Sequence, residues 1–182
     1  MGGHCLPKDS WLLKYGLDTY GSIKFDPEII TRSRYLNDSM PQHMKQLTEE
    51  ALAEKGLKIR DARITILGVA FLENSDDTRN TPAEPIYKAL VGNCAEVIAH
   101  DPYVKEFEDL HITNDLEKAI EGSDCLIVVT CHKQYQSLKP DVLKTKMRTP
   151  IIINGRNIFN QNECLSKGFS FSGIGLPVKK NG

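Results

Sequence analysis

The sequence lacks several features that define common classes of protein. No apolar run in its 182 residues approaches the roughly 20 residues that a membrane-spanning helix needs, and no signal-peptide core follows the first residues. Its 23 basic and 24 acidic residues give a formal net charge of −1, which provides no electrostatic footprint for nucleic acid. We therefore expect neither a membrane nor a nucleic acid as a partner.

Cysteine is scarce and irregularly spaced. The five cysteines form no C-x-x-C pair; they are Cys5, Cys94, Cys125, Cys131 and Cys164. An odd number without regular spacing argues against a disulfide scaffold and favours a reducing, cytoplasmic location. Cys131 and His132 are residue types that bind zinc, but adjacent residues rarely ligate one ion, so we expect no metal site.

Residues 9–56 carry helical signals and no strand signals. Asp26-Pro27-Glu28 is typical of a helix start, and Gly56 of a helix end. Pro41 lies inside the periodic run and predicts a kink or short break near Ser39 and Met40. The apolar spacing fits a helix packed on its own domain or one packed against a second subunit, and it does not distinguish them.

Strand and helix signals alternate from Ala62 onward. Apolar runs predict strands at 64–71, 96–100, 125–130, 151–154 and 169–172. Helices are predicted from Thr81 to about Gly92, where Thr81 and Glu84 form a capping box, and at 116–121 and 133–138. This alternation predicts an α/β domain with a Rossmann-like parallel sheet over residues 58–182, preceded by a helical segment over residues 1–57.

The loop after the first predicted strand lacks a dinucleotide fingerprint. Gly68 is followed by no second or third glycine at the required spacing, so the backbone cannot approach a pyrophosphate closely. Arg79 precedes the next helix and could bind a phosphate there, although residue types favour an ion network with Asp76 and Asp77. Arg156, in Asn154-Gly155-Arg156-Asn157, is a second candidate anion ligand at the same sheet edge.

The first nine residues hold the best candidate nucleophile. Cys5 follows a Gly-Gly turn, with Lys8 and Asp9 close behind and a helix-like run after them. A thiol at the start of a helix and beside a cation is favoured as the thiolate. We expect a catalytic cysteine whose site continues upstream of this chain.

Taken together, these motifs resemble the UDP-glucose/GDP-mannose dehydrogenase family. The matching segments occur in the family's order and cover nearly the whole chain; they are residues 2–9, 37–41, 66–71, 76–79, 154–157 and 174–177. The segment Asn37-Asp38-Ser39-Met40-Pro41 is more similar to the branch that oxidises UDP-N-acetylhexosamines such as UDP-N-acetyl-D-mannosamine. The resemblance implies a UDP-binding domain at residues 58–182, and a remnant of a central helical dimerisation region at residues 1–57.

The resemblance also implies roles for individual residues. Cys5 is the expected nucleophile, which captures an aldehyde as a thiohemiacetal and then carries a thioester, and Asp9 positions the hydrolytic water. Lys8 and Arg79 match positions that contact the NAD cofactor. The positions implied to bind the UDP-sugar are Gly2, Phe71, Leu72 and Arg156. Leu72 departs from the family, which usually has a lysine there, and leucine cannot supply that charge.

The resemblance covers only the later part of the family enzymes. NAD would be bound mainly by an N-terminal domain that has no counterpart in this sequence. We therefore expect the chain to be a C-terminal part of an NAD-dependent UDP-sugar 6-dehydrogenase. We expect it to form a homodimer through its helical segment and to be inactive alone. The alternative is a UDP-sugar-binding and dimerisation module with no catalytic role.

Overall fold

Two long helices occupy the beginning of the chain. In the computed structural model, which describes residues 5–22 and 25–176, α1 spans Leu6–Tyr20 and α2 spans Glu28–Glu54. Pro41 lies inside α2 without ending it, so α2 has no break near Ser39 and Met40, and the kink that was the alternative there stays a prediction. A proline removes one N–H donor from the ladder, and packing of the following turns can outweigh that loss.

The chain divides into two compact units, Met1–Met40 and Pro41–Gly182. Within the first unit, the ring of Trp11 in α1 meets Tyr35 in α2 edge-to-face, with 5.4 Å between the centroids. Lys14 pairs with Asp18 at 3.2 Å and with Asp26 at 3.6 Å. The predicted division after residue 57, between a dimerisation region and a UDP-binding domain, concerns function rather than compactness, and it stays a prediction.

The two halves of α2 differ in their surroundings. In the second unit, Met44, Leu47 and Leu52 are buried in the apolar core. In the first unit, by contrast, Ile29 is 84% exposed and Leu36 is 65% exposed. The apolar spacing therefore marks a helix that packs on its own domain in its second half and leaves apolar side chains uncovered in its first half.

A six-stranded sheet forms the centre of the second unit. Its strands are β1 Arg63–Leu67, β2 Glu96–His100, β3 Ile112–Thr113, β4 Cys125–Val128, β5 Ile151–Asn154 and β6 Ser170–Gly173. They lie in the order β3-β2-β1-β4-β5-β6, and each neighbouring pair is parallel. This order confirms the predicted Rossmann-like α/β fold. The two-residue β3 was not predicted.

Short helices connect the strands. They are α3 Ala83–Leu90, α4 Leu116–Ile120, α5 Lys133–Gln136, α6 Pro140–Lys146 and α7 Gln161–Ser166, with a 3-10 turn at Ile59–Asp61. Helices α6 and α7 were not predicted. In the described residues, 5–22 and 25–176, no helix combines the length and apolar character that crossing a membrane requires.

The side chains of the sheet contribute to two apolar clusters, as alternation along a strand requires. In β1, Ile64 and Ile66 belong to one cluster, which includes the second half of α2. Leu67 belongs to the other, with Leu143 and Tyr135. Because both faces of the central strands are covered, the strands read as continuous apolar runs.

Several element boundaries differ from the prediction, and hydrogen bonds within the fold explain two of them. β1 ends at Leu67 rather than at residue 71, because the N–H groups of Val69 and Ala70 donate to the Asp101 carboxylate. α3 begins at Ala83 rather than just after Thr81. Thr81 still accepts the N–H of Ala83 at 3.1 Å, but its hydroxyl also donates to the Val69 carbonyl at 2.6 Å, which holds Thr81 in the loop.

Candidate functional site at the carboxyl edge of the sheet

The loops that follow β1, β2, β4 and β5 share one edge of the sheet, here called the carboxyl edge. The strand order reverses between β1 and β4, and ligands of open α/β sheets bind beyond the carboxyl ends at such a point. Phe71, Leu72 and Arg79 lie on the loop after β1, and Arg156 lies on the loop after β5. The parallel topology thus places these predicted site residues at one edge.

Asp101, which directly follows β2, is the central acceptor of this edge. Its side chain is fully buried. One oxygen, Oδ2, accepts the N–H groups of Val69 at 2.7 Å and Ala70 at 2.9 Å. The other, Oδ1, accepts those of Tyr103 at 2.8 Å and Val104 at 3.0 Å. One carboxylate therefore joins the loop after β1 to the loop after β2.

A histidine from the loop after β4 completes the environment of Asp101. His132 is also fully buried, and its Nε2 lies 3.0 Å from Asp101 Oδ2. Burial alone would raise the pKa of Asp101, but the hydrogen bonds from His132 and from backbone N–H groups outweigh it and lower that pKa to about 2. Asp101 is thus a carboxylate at neutral pH.

A second histidine lies beneath this pair. His100 Nδ1 is 2.8 Å from the Tyr135 hydroxyl, and its Nε2 is 3.3 Å from the Asn114 carbonyl oxygen. Burial lowers the pKa of His100 and raises the pKa of Tyr135. Both groups are therefore uncharged at neutral pH, and Asp101 is the charged member of the cluster.

The loop after β1 folds back on itself. The N–H of Phe71 donates to the carbonyl of Asp77 at 2.7 Å. The Asp77 carboxylate accepts Nε of Arg79 at 2.9 Å and Nη2 at 2.7 Å, and this hydrogen bonding raises the pKa of Arg79. Arg79 is 74% exposed in its side chain and forms a bidentate pair with Asp77. The ion network that the sequence favoured is therefore present, with Asp77 as the partner.

The loop after β5 is built by close backbone approach. A Cβ atom on Gly155 would lie 2.5 Å from the Val128 carbonyl oxygen, so glycine is required there. Asn154 is buried and accepts the N–H of Ile158 at 3.2 Å, which shapes the turn. Arg156 is exposed, and among the described residues its guanidinium has no ion-pair partner. Its charge is available for an anion.

The cysteine motif lies in the first unit. Cys5 is exposed and is the N-cap residue of α1, and its carbonyl accepts the N–H groups of Lys8 at 3.0 Å and Asp9 at 2.8 Å. The structure thus brings Cys5, Lys8 and Asp9 into one helical turn. Gly2 lies outside the described residues.

The described residues contain no grouping of three or more His, Cys, Asp or Glu side chains suited to a metal ion. All five cysteines are free thiols. Cys125 and Cys164 are buried, and burial raises the pKa of Cys94 and of Cys164 to about 11. Burial also raises the pKa of Cys125.

Asp101, His132 and Asn74 also belong to this edge, and none of them was predicted to be a site residue. The sequence pattern did not single out Asp101, and it indicated His132 only as a residue type that binds zinc. Each follows a buried strand or sits in the long loop after β1. Polar residues that follow buried parallel strands were the signal that could have identified them.

A match to a known domain covers this edge. Residues 65–161 match the model of the UDP-glucose/GDP-mannose dehydrogenase family, UDP binding domain. Since this is more than half of the chain, the protein belongs to the UDP-glucose/GDP-mannose dehydrogenase family. The matched range begins within β1, contains β2 to β5, and includes the loops that carry Phe71, Leu72, Arg79 and Arg156.

Two dehydrogenases of known name are similar in sequence to nearly the whole chain. The UDP-N-acetyl-D-mannosamine dehydrogenase of Pyrococcus horikoshii is 37% identical over 175 residues, which is 96% of this chain and 38% of the relative. The UDP-glucose 6-dehydrogenase of Rhizobium meliloti is 31% identical over 182 residues, which is 97% of this chain and 40% of the relative. The chain thus spans about two fifths of the length of these relatives.

A solved structure is also similar. The NDP-N-acetyl-D-galactosaminuronic acid dehydrogenase of Methanosarcina mazei superposes with a TM-score of 0.87 at 39% identity, covering 96% of this chain and 38% of that structure. The likeness includes the helical beginning of the chain as well as the sheet, because it covers nearly all of the residues.

Proposed function

We propose that this chain is the UDP-binding part of an NAD-dependent nucleotide-sugar 6-dehydrogenase that oxidises a UDP-hexose to its uronic acid. The observation that carries the proposal is the match of residues 65–161 to the UDP binding domain. The names of several relatives favour UDP-N-acetyl-D-mannosamine as the sugar nucleotide. The odd number and irregular spacing of the five cysteines favour a reducing, cytoplasmic location.

The proposed UDP site uses the carboxyl edge. Arg156 supplies a planar, bidentate cation for the diphosphate, and Phe71 and Leu72 contact the nucleotide sugar. Arg79 is paired with Asp77, so contact with the cofactor would require Arg79 to share or exchange that partner. Gly2 remains a proposed contact of the sugar nucleotide.

The carboxyl edge does not fit NAD as a dinucleotide site. The N–H groups of Val69 and Ala70, which follow β1 where a dinucleotide-binding turn would present its donors, are already bonded to Asp101. NAD, the hydride acceptor, would therefore be bound mainly outside these 182 residues, with Lys8 and Arg79 as proposed contacts.

The proposed covalent chemistry belongs to Cys5. Its thiolate would add to the aldehyde carbon of the half-oxidised sugar to give a thiohemiacetal, which would become a thioester by loss of a hydride to a second NAD⁺ and of the hydroxyl proton. A water that Asp9 positions would then hydrolyse the thioester to the uronic acid and release the Cys5 thiol. Exposure at the first turn of α1 makes the thiol accessible for this step. The chain alone, incubated with UDP-sugar and NAD⁺, should produce no NADH above background; turnover would contradict our placement of NAD.

Calorimetry with UDP tests the binding proposal. Arg156→Ala should weaken UDP binding by about tenfold or more, because it removes a charge-assisted hydrogen bond to phosphate. Arg60→Ala is the matched control, because Arg60 is an exposed arginine just before the opposite, amino end of β1, and it should bind UDP as the unaltered chain does. Equal affinity of the Arg156 and Arg60 variants would remove Arg156 from the site.

The alternative function is a UDP-sugar-binding and dimerisation module without a catalytic role. The exposed apolar side chains of the first unit favour a homodimer in either case. Adding a purified NAD-binding domain of a relative separates the two functions. Cysteine-dependent NADH production, lost in Cys5→Ser, would support the enzyme, and its absence would support the module.

A further inference from the structure

Both ring nitrogens of His132 form hydrogen bonds, one as a donor and the other as an acceptor. Nε2 faces the Asp101 carboxylate at 3.0 Å, whereas Nδ1 accepts the backbone N–H of Asn74 at 2.9 Å. An acceptor at Nδ1 and a carboxylate at Nε2 together define a neutral ring with its proton on Nε2. Asp101 therefore fixes the tautomer that allows His132 to bind Asn74.

The His132 ring is also fixed in place by its neighbours. Tyr103 lies against it with 5.3 Å between ring centroids, and Tyr135 meets it edge-to-face at 5.4 Å. The side chain is fully buried. Nδ1 thus points at one position in the loop after β1, with little freedom to turn away.

Asn74 is suited to receive this contact. Its φ is 55°, in the left-handed region that asparagine tolerates better than most residues. While its N–H donates to His132, its Oδ1 accepts the N–H of Lys133 at 3.0 Å. Asn74 is therefore joined at two points to the adjacent residues His132 and Lys133, an arrangement here called the Asn74 latch.

The Asn74 latch determines where two proposed substrate contacts lie. Phe71 is fixed at the base of the loop by its bond to Asp77, and Asn74 is fixed at the tip. Leu72 lies between these two points and is 48% exposed, so its own burial contributes little to holding the tip. Polar bonds to the loop after β4 take that role.

We propose that His132, oriented by Asp101, is a positioning residue that latches the loop after β1 through Asn74 and thereby sets the affinity for UDP. The inference rests on the proposed UDP site. A loop that is already ordered loses less conformational entropy when a ligand binds. Loosening the tip should weaken binding even though His132 is fully buried and does not reach the surface where the nucleotide would bind.

A pair of loop variants tests the latch without disturbing the core. Asn74→Gly keeps the left-handed backbone and removes the Oδ1 acceptor, and it should weaken UDP binding by about fivefold. Asn80→Gly is the matched control, because Asn80 lies in the same loop with a φ of 56° and has no side-chain role in the latch. It should leave UDP affinity unchanged.

A second pair tests the histidine itself. His132→Leu removes both ring contacts and should weaken UDP binding at least as much as Asn74→Gly. His132→Gln retains one donor and one acceptor and should restore part of the affinity. Two NMR readouts accompany these titrations: the His132 ring should carry its proton on Nε2, and exchange of the Asn74 amide should accelerate in His132→Leu.

The outcomes separate this inference from the function on which it rests. If the unaltered chain binds UDP and the Asn74→Gly and His132→Leu variants bind it equally well, the latch has no positioning role and the UDP site stands. If the unaltered chain binds no UDP, the proposed function fails and this inference fails with it. If His132→Leu does not fold, the comparison of Asn74→Gly with Asn80→Gly decides.

Discussion

At the scale of single residues, Asp101 makes more of the hydrogen bonds that hold the carboxyl edge together than any residue singled out from the sequence. Four backbone N–H groups and His132 converge on one buried carboxylate. A buried charge is tolerated only when it is this fully hydrogen-bonded. Removing the charge leaves several donors without an acceptor, whereas removing any single donor leaves the carboxylate largely satisfied.

We predict that Asp101→Asn destabilises the protein by about 2 kcal/mol at neutral pH. The pKa of Asp101 is lowered from 3.8 to about 2 in the folded state. Its contribution to stability is therefore complete above the unfolded-state pKa and disappears as the pH falls through about 2. Urea unfolding at pH 7 and pH 3 measures this, and the variant should lose less stability on acidification.

Asp109→Asn is the control for this measurement, because Asp109 is exposed and follows in the same loop. It should unfold like the unaltered protein at both pH values. If Asp101→Asn shows the same acid dependence as the control, the Asp101 carboxylate does not have the lowered pKa that its hydrogen bonds imply.

Burial should also divide the five cysteines by reactivity. Exposed Cys5 should react first with a thiol reagent at pH 8, followed by half-buried Cys131. Cys94 and Cys164, whose pKa values burial raises to about 11, and Cys125 should react only on unfolding, because the thiolate is the reactive form. Mass spectrometry of partly labelled protein identifies the sites, and equal labelling of all five in the folded state would contradict this order.

Residue-scale contacts were only partly predictable. The pairing of Arg79 with an aspartate followed from their closeness in sequence, and Asp77 is that partner. The Asp101–His132 pair could not be predicted, because its members are 31 positions apart and meet only when β1, β2 and β4 are aligned. Apolar runs report burial, but they do not report which polar side chains face each other beyond the strand ends.

At the scale of elements, the loop after β1 depends on one close approach between neighbouring strands. Gly68 has a φ of +97°, and a Cβ atom there would lie 2.4 Å from Cβ of Thr130 and 2.7 Å from its backbone nitrogen. The Thr130 hydroxyl in turn donates to the Ala70 carbonyl. The turn that ends β1 is therefore fitted against the end of β4, and glycine is the residue that permits it.

We predict that Gly68→Ala destabilises the fold by about 3 kcal/mol, through backbone strain and a clash with Thr130 together. Gly92→Ala isolates the strain, because Gly92 has a φ of +81° and open space around it. That control should cost only about 1 kcal/mol. Chemical denaturation of both variants provides the comparison, and equal losses would mean that the approach to Thr130 is not tight.

Helix and strand boundaries failed where tertiary bonds compete with local signals. The run of apolar residues through Phe71 predicted a longer β1, but Asp101 takes the N–H groups of Val69 and Ala70. Helix α3 begins at Ala83 rather than just after Thr81, because the Thr81 hydroxyl donates to the Val69 carbonyl. The order and type of the elements that were predicted from periodicity agree with the structure, whereas β3, α6 and α7 were not predicted.

At the scale of the whole molecule, the two units differ in how far their large apolar side chains are buried. The second unit buries its apolar residues in two clusters on the sheet. The first unit leaves many large apolar side chains at least one third exposed; they are Trp11, Leu12, Leu13, Tyr15, Tyr20, Phe25, Ile29, Tyr35 and Leu36. So many exposed large apolar side chains in one unit usually mark an interaction site, which is why we propose a homodimer through the helical segment.

Sedimentation of the purified chain tests that homodimer. Ile29 and Leu36 are seven residues apart on α2 and share one helix face, so Ile29→Asp and Leu36→Asp each place a charge in the proposed interface. Either change should shift the dissociation constant of the dimer upward by at least tenfold, because a buried charge without a partner is costly.

Val142→Asp is the control, since Val142 is 47% exposed on α6 in the second unit, and it should leave the mass unchanged. A monomeric unaltered chain, or equal dimerisation of all four proteins, would show that the helical segment does not self-associate and would leave its apolar face to another partner.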